Sequence, residues 1–145
     1  MRKKWIIAIT SLVVIGAIAA VLVYIFIYNK PQPDYSRTDP DFRLKASDLY
    51  HEFKSNAAVA GAKYTGKVLA VTGDLSSVEN TDSLTTAVFA IEQGMFGDEG
   101  VRCAFIPEFV KEITSTANGS AVTIKGYCTG FNDTDVILEH CSLLK

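Results

Sequence analysis

Apolar positions run from Trp5 to Tyr28 without a charge, directly after Arg2, Lys3 and Lys4. Wound as a helix at ~1.5 Å per residue, these 24 residues reach about 36 Å, more than the roughly 30 Å of a bilayer's hydrocarbon core. The pattern predicts a transmembrane helix over 5–28. Thr10 and Ser11 can bond to the helix's own carbonyls, and Trp5, Tyr24 and Tyr28 stand where interfacial aromatics belong.

The pattern then changes twice. Residues 29–41 hold Pro31, Pro33 and Pro40 among polar neighbours, which predicts an extended spacer lifting the rest of the chain, 42–145, off the membrane. From Lys45 to Asn56, Ala46, Leu49, Tyr50 and Phe53 recur at helical spacing, with Ser47 as the expected N-cap and Ala57 to Ala62 as a possible extension. Beyond Gly61 the period shortens to that of strands: Tyr64–Val71, Leu84–Ile91, Val101–Ile106, Ala121–Thr129 and Val136–Leu144. Between the third and fourth, Pro107 suits a first helical position and Phe109, Val110 and Ile113 make an apolar face, closed by Asn118 and Gly119.

Three strands, a helix and two strands are the order of an OB-fold, a mainly β, five-stranded Greek-key barrel, here preceded by an amphipathic helix and a single membrane span. Gly66 and Gly73 are expected to bend the long first strand around the barrel. Five strands also fit an SH3-like barrel; the position of the second helix favours the OB order.

Charge sets the orientation. Basic residues 2–4 (1–4 being the basic N-terminus) against the lone Lys30 place the N-terminus in the cytoplasm of a bacterial inner-membrane protein, and the C-terminal domain outside, in the periplasm or beyond. Ala17-Ile18-Ala19 has the form of a cleavage site, but nine more uncharged residues follow it, which favours a retained anchor. Beyond the span, ten basic residues stand against sixteen acidic, a net of −6. That surplus argues against polyphosphate backbones and anionic headgroups as partners, because neutralising phosphates takes Lys and Arg in excess.

The candidate chemistry is sparse. An OB-fold binds ligands on its second and third strands, between the first-to-second and fourth-to-fifth strand loops. Those loops are expected at 74–82, with Asp74, Glu79 and Asp82, and at 132–135, with Asp133 and Asp135; the third strand offers Arg102, turned away from Val101, Cys103 and Phe105. These six residues are the candidate ligand face or rim. Phe89 is expected in the core, and the charge balance argues against nucleic acid as the ligand. Cys103, Cys128 and Cys141 lie in a compartment that permits disulfides. A hairpin of the last two strands favours Cys128 with Cys141 over Cys103 with Cys141, the alternative being three buried thiols. His51 and His140 are not placed for a nucleophilic triad or a zinc site. Gly94, Gly97 and Gly100 read as a mobile loop, and Asp98-Glu99 as solvated turn carboxylates more than calcium ligands. No catalytic residue, metal or cofactor is expected.

The segments DLYHEFKSNAAVAGAKYTGKVLAVTG (48–73), VRCAF (101–105), VTIKGYCTG (122–130) and VILEHCSL (136–143) resemble the tRNA anticodon-binding-like OB family of bacterial envelope proteins. The resemblance covers roughly 45–144. It implies an OB barrel with an N-terminal helix, in lipoprotein or membrane-anchored proteins without catalytic residues; the lipoprotein form needs an anchoring Cys, for which this chain substitutes a transmembrane helix. The expectation is a tethered module that binds a protein, peptide or envelope glycan, with nucleic acid as the alternative ligand.

Overall fold

The computed structural model describes residues 1–28 and 34–145. They fall into two units, 1–28 and 34–145. In the first, helix α1 (Arg2–Val23) continues through a wider-wound turn to Tyr28. Thr10 Oγ1 donates to the carbonyls of Ile6 and Ile7 at 3.0 Å and Ser11 Oγ to that of Ala8 at 2.9 Å, so neither hydroxyl is left unbonded. The whole of Arg2–Tyr28 is long and apolar enough to cross a membrane, and its side chains are exposed along its length.

The second unit contains β1 (Phe42–Lys45), α2 (Ala46–Ser55), α3 (Ala57–Tyr64), β2 (Val68–Asp74), β3 (Ser77–Asn80), β4 (Thr85–Gly94), β5 (Gly97–Phe105), α4 (Val110–Ser115), β6 (Ala121–Phe131) and β7 (Asp135–Leu144). Its seven strands form one mixed sheet in the order β1-β2-β6-β7-β5-β4-β3. Two of the seven are the halves of a single bent strand. Asp74 of β2 pairs with Ala121 of β6, whereas Ser77 of β3 pairs with Val88 of β4. The corner keeps its hydrogen bonds: Leu75 N–H donates to Ser120 and Ser76 N–H to Val88, each at 2.9 Å. The chain thus passes from one end of the sheet to the other and closes it, with β1 as an added parallel strand beside β2.

The five expected strands are present within the seven, with corrections. The bend lies at Leu75-Ser76. Gly66 turns the chain before β2 at φ +81°, and Gly73 serves close packing, since a Cβ there would stand 3.1 Å from both Ala46 and Phe89. Residues 77–80 are strand and not loop, and the expected mobile glycine loop is a hairpin, with Gly94 paired to Gly97 and Glu92 to Glu99. Its arms extend beyond the core and need no apolar face, which is why hydropathy ended both strands early.

Leu49, Tyr50 and Phe53 of α2 are at most 1% exposed, as the stripe predicts. The helix starts at Ala46 instead of being capped by Ser47, and it stops at Asn56, where φ is −155°. Asn56 Oδ1 then accepts from Val59 N–H at 3.2 Å and caps α3. Ile113 of α4 is fully buried with Leu69, Phe89, Val101, Ile124 and Leu138 in the core.

Of the expected spacer, 29–33 lie outside the described residues. The remainder, 34–41, belongs to the barrel unit: Lys125 Nζ donates to the carbonyls of Ser36 and Thr38 at 2.6 and 2.7 Å, and Tyr35 stacks on Tyr127 with ring centres 5.1 Å apart.

Candidate ligand-binding face

Arg102 alternates out of the core between Val101 and Cys103, both fully buried, and so projects from the outer surface of β5. The strand order brings a carboxylate to each side of it. Nε donates to Asp135 Oδ2 at 3.1 Å, from the start of neighbouring β7, and Nη1 donates to Glu79 Oε2 at 2.9 Å. Burial works against the guanidinium's charge, but Asp135 and Glu79 outweigh it and hold its pKa above the ordinary value. Asp135 also accepts the Gly100 N–H at 3.0 Å, which fixes the carboxylate to the β5 backbone.

Three of the six expected face residues, Arg102, Glu79 and Asp135, therefore meet. Asp74 sits at the end of β2 in a separate hollow of about 440 Å³ with Lys45, Ser47 and Ser76. Asp82 is exposed in the β3–β4 turn and Asp133, at φ +75°, in the β6–β7 turn. Phe89 is 1% exposed, a core residue and not a stacking platform.

A second polar cluster braces the β4–β5 hairpin. The buried Tyr50 donates its hydroxyl to Glu99 Oε2 at 2.8 Å and lies 3.3 Å from Glu92 Oε2; Lys54 Nζ reaches Glu99 at 2.7 Å. His51 Nδ1 stands 3.7 Å from Glu92 Oε1. Burial, then the bond to Glu99, pushes the Tyr50 phenol up, so it stays a donor; Lys54 and Tyr50 hold the Glu99 carboxyl below its usual range. Between the two clusters a hollow of about 110 Å³ is lined by Phe96, Asp98, Glu99, Arg102, Thr134 and Asp135.

Sequence reasoning missed Met95 and Phe96 at the hairpin tip, 92% and 96% exposed. The signal was available: two large apolar residues occupy turn positions that polar residues normally fill. Charge alone gives this face Glu79, Glu92, Asp98, Glu99, Asp133 and Asp135 against Arg102 and Lys54, and both cations are already paired. Its polar groups satisfy one another, which leaves carboxylates and an apolar tip at the surface.

The three cysteines are free, buried thiols, which corrects the expected Cys128–Cys141 bond. Register is the reason: Cys128 lies opposite Leu138, and Cys141 lies beside Phe105 of β5 with its thiol toward Cys103. Burial pushes the Cys128 thiol up to about 11 and Cys141 upward as well, so both are weak nucleophiles.

A model of the tRNA_anti-like family matches residues 1–143. No curated protein matches the chain. Among solved structures, one from Klebsiella pneumoniae described as a "putative nucleic acid-binding lipoprotein" is similar over 80% of this chain and 100% of its own, at 19% identity and a TM-score of 0.55. The Stn1–Ten1 complex of S. pombe matches over 54% of this chain and 58% of its own, at 16% identity and a TM-score of 0.38.

Proposed function

This chain belongs to the tRNA_anti-like family, and from that premise we propose that it is a membrane-anchored, extracytoplasmic OB-type binding module that recognises a protein, peptide or envelope glycan and performs no catalysis. The apolar helix Arg2–Tyr28, with its three basic residues at the N-terminal end, is the anchor. The reading rests on one observation above all: Arg102, the positive charge on the face where OB-folds take ligands, is spent on Asp135 and Glu79. A groove for single-stranded nucleic acid needs unpaired cations along the backbone path, and here carboxylates outnumber them.

The second reading is nucleic-acid binding, favoured by the description carried by the K. pneumoniae neighbour, which shares the fold at 19% identity. Titration of the detergent-solubilised full chain with labelled single-stranded DNA and RNA at rising salt separates the two. The binding-module reading expects no shift at physiological salt. A complex whose affinity falls steeply and log-linearly with salt would transfer the conclusion to nucleic acid. Protease added to intact spheroplasts tests the topology: residues 34–145 should be degraded, and their survival would remove the extracytoplasmic assignment.

A further inference from the structure

Resting on the binding-module reading, we propose that the β4–β5 hairpin tip is its anchor, with Met95 and Phe96 seating in an apolar socket rimmed by Lys and Arg on a protein partner. The two side chains are 92% and 96% exposed, while the other exposed large hydrophobics of this unit, Val59 and Leu84, reach only 64% and 47%. Nothing in the turn requires them. Gly94 and Gly97 pair across it, Gly97 supplies the positive φ at +129°, and neither Met95 nor Phe96 has a positive φ that would restrict the choice of residue.

The hairpin is also held ready. Gln93 Nε2 donates to Asp98 Oδ1 at 3.1 Å across the arms, and Glu99 is fixed at the base by Tyr50 and Lys54. Docking of this aromatic and methionine tip would therefore cost the ordering of two side chains but little further backbone entropy, the kind of preorganisation that favours an interface anchor. Charge selects the occupant. Phe96 shares its hollow of about 110 Å³ with Asp98, Glu99 and Asp135 and also with Arg102; Arg102 offsets Asp135 and Lys54 offsets Glu99, so Asp98, bonded to the neutral Gln93, is the carboxylate left for the head of a partner's Lys or Arg. Anionic lipid, nucleic-acid phosphate and a second copy of this acidic unit would all bring like charge to those carboxylates. A protein surface with a basic rim brings the opposite charge, and complementarity of that kind favours both encounter and specificity.

The test places a photoreactive benzoylphenylalanine at position 96 of the full-length chain in its native membranes, and another at position 79 on the barrel face. The expected result at 96 is an adduct with a different protein, mapped to a peptide that mixes apolar with Lys or Arg residues. Its yield should fall about ten-fold with Asp98→Lys and again with Met95→Ser, at an unchanged melting temperature. Adducts at 96 with lipid or with this chain itself, no adduct, or a yield indifferent to Asp98→Lys overturn the inference. A protein adduct at 79 without one at 96 overturns it but leaves the binding-module reading standing; silence at both positions removes both.

Discussion

The ammonium of Lys125, on a residue 5% exposed, donates to the backbone carbonyl of Ser36 across 2.6 Å, with Thr38 O as a second acceptor at 2.7 Å. Two carbonyls thus hold a lysine that alternation along β6 would otherwise leave to solvent, and residues 34–38 become a strap across the barrel wall. Replacing Lys125 by Met keeps the stem and removes the charged head. The strap should detach at a cost of about 1–3 kcal/mol, the usual worth of hydrogen bonds to a charged group. Hydrogen exchange and limited proteolysis should show residues 34–40 opening while the barrel amides stay protected; unchanged protection of the strap would sink the assignment.

Arg102 makes a second prediction. Asp135 has a side chain only 10% exposed, and Arg102→Gln strips it of its cation while the Gly100 N–H remains. Breaking such a pair leaves an incompletely compensated carboxylate, so the barrel should lose about 2–4 kcal/mol, read as a lower melting temperature. Oligonucleotide affinity should not change. A variant of normal stability with reduced oligonucleotide affinity would mean that the guanidinium serves a ligand instead.

Where these features were visible in the sequence, the reason is periodic burial. The stripe Leu49, Tyr50, Phe53 announced α2, and the strands around Val71, Phe89, Val101, Ile124 and Leu138 announced the barrel, because each packs against one core. Hydropathy is silent where a strand leaves that core, and so Glu92–Gly94 and Gly97–Gly100 read as loop until their pairing was seen. It is silent, too, on partners distant in the chain: β1 is four residues long and pairs with β2. Asn56 looked like one more polar residue in a helix, yet its side chain starts a new one. Arg102 was legible as a face residue by alternation, but its neutralisation depends on Asp135 of neighbouring β7 and on Glu79 of β3, which lies one strand further off beyond β4, and both are far from it in sequence.

The buried thiols predict a pH dependence. Cys128 is pushed by burial from an ordinary 9.0 to about 11, so the folded state holds its proton more tightly than the unfolded one. The resulting stability, up to about 3 kcal/mol, is fully present below pH 9 and is lost as pH rises from 9 through 11. Lys and Tyr residues titrate in the same range, so the comparison is with Cys128→Ala, whose stability should fall less steeply above pH 9. Equal slopes for the two proteins would show that the thiol is not desolvated. Alkylation at pH 8 should likewise spare all three cysteines until denaturant is added.

Gly126 lies on β6 with Cys141 facing it from β7, and a Cβ at 126 would overlap Cys141 Sγ and stand 3.2 Å from Leu138 Cβ. The glycine's φ is not among the positive ones, so the constraint is space and not backbone conformation. Gly126→Ala should destabilise the barrel by about 1–3 kcal/mol, the range for overpacking a filled core. Cys141→Ala removes the sulfur and opens a small cavity, at a cost of about 1 kcal/mol. The two changes are complementary in shape, because the methyl added at 126 enters the volume vacated at 141. The double variant should then be more stable than the sum of the single effects by at least roughly 1 kcal/mol, a coupling typical of residues in direct contact. Leu138 Cβ stays in place in both backgrounds, so recovery should be partial. Strict additivity in a double-mutant cycle of thermal melts would mean that Cys141 does not press on Gly126, and the β6–β7 register that sets Cys128 opposite Leu138 would need revision with it.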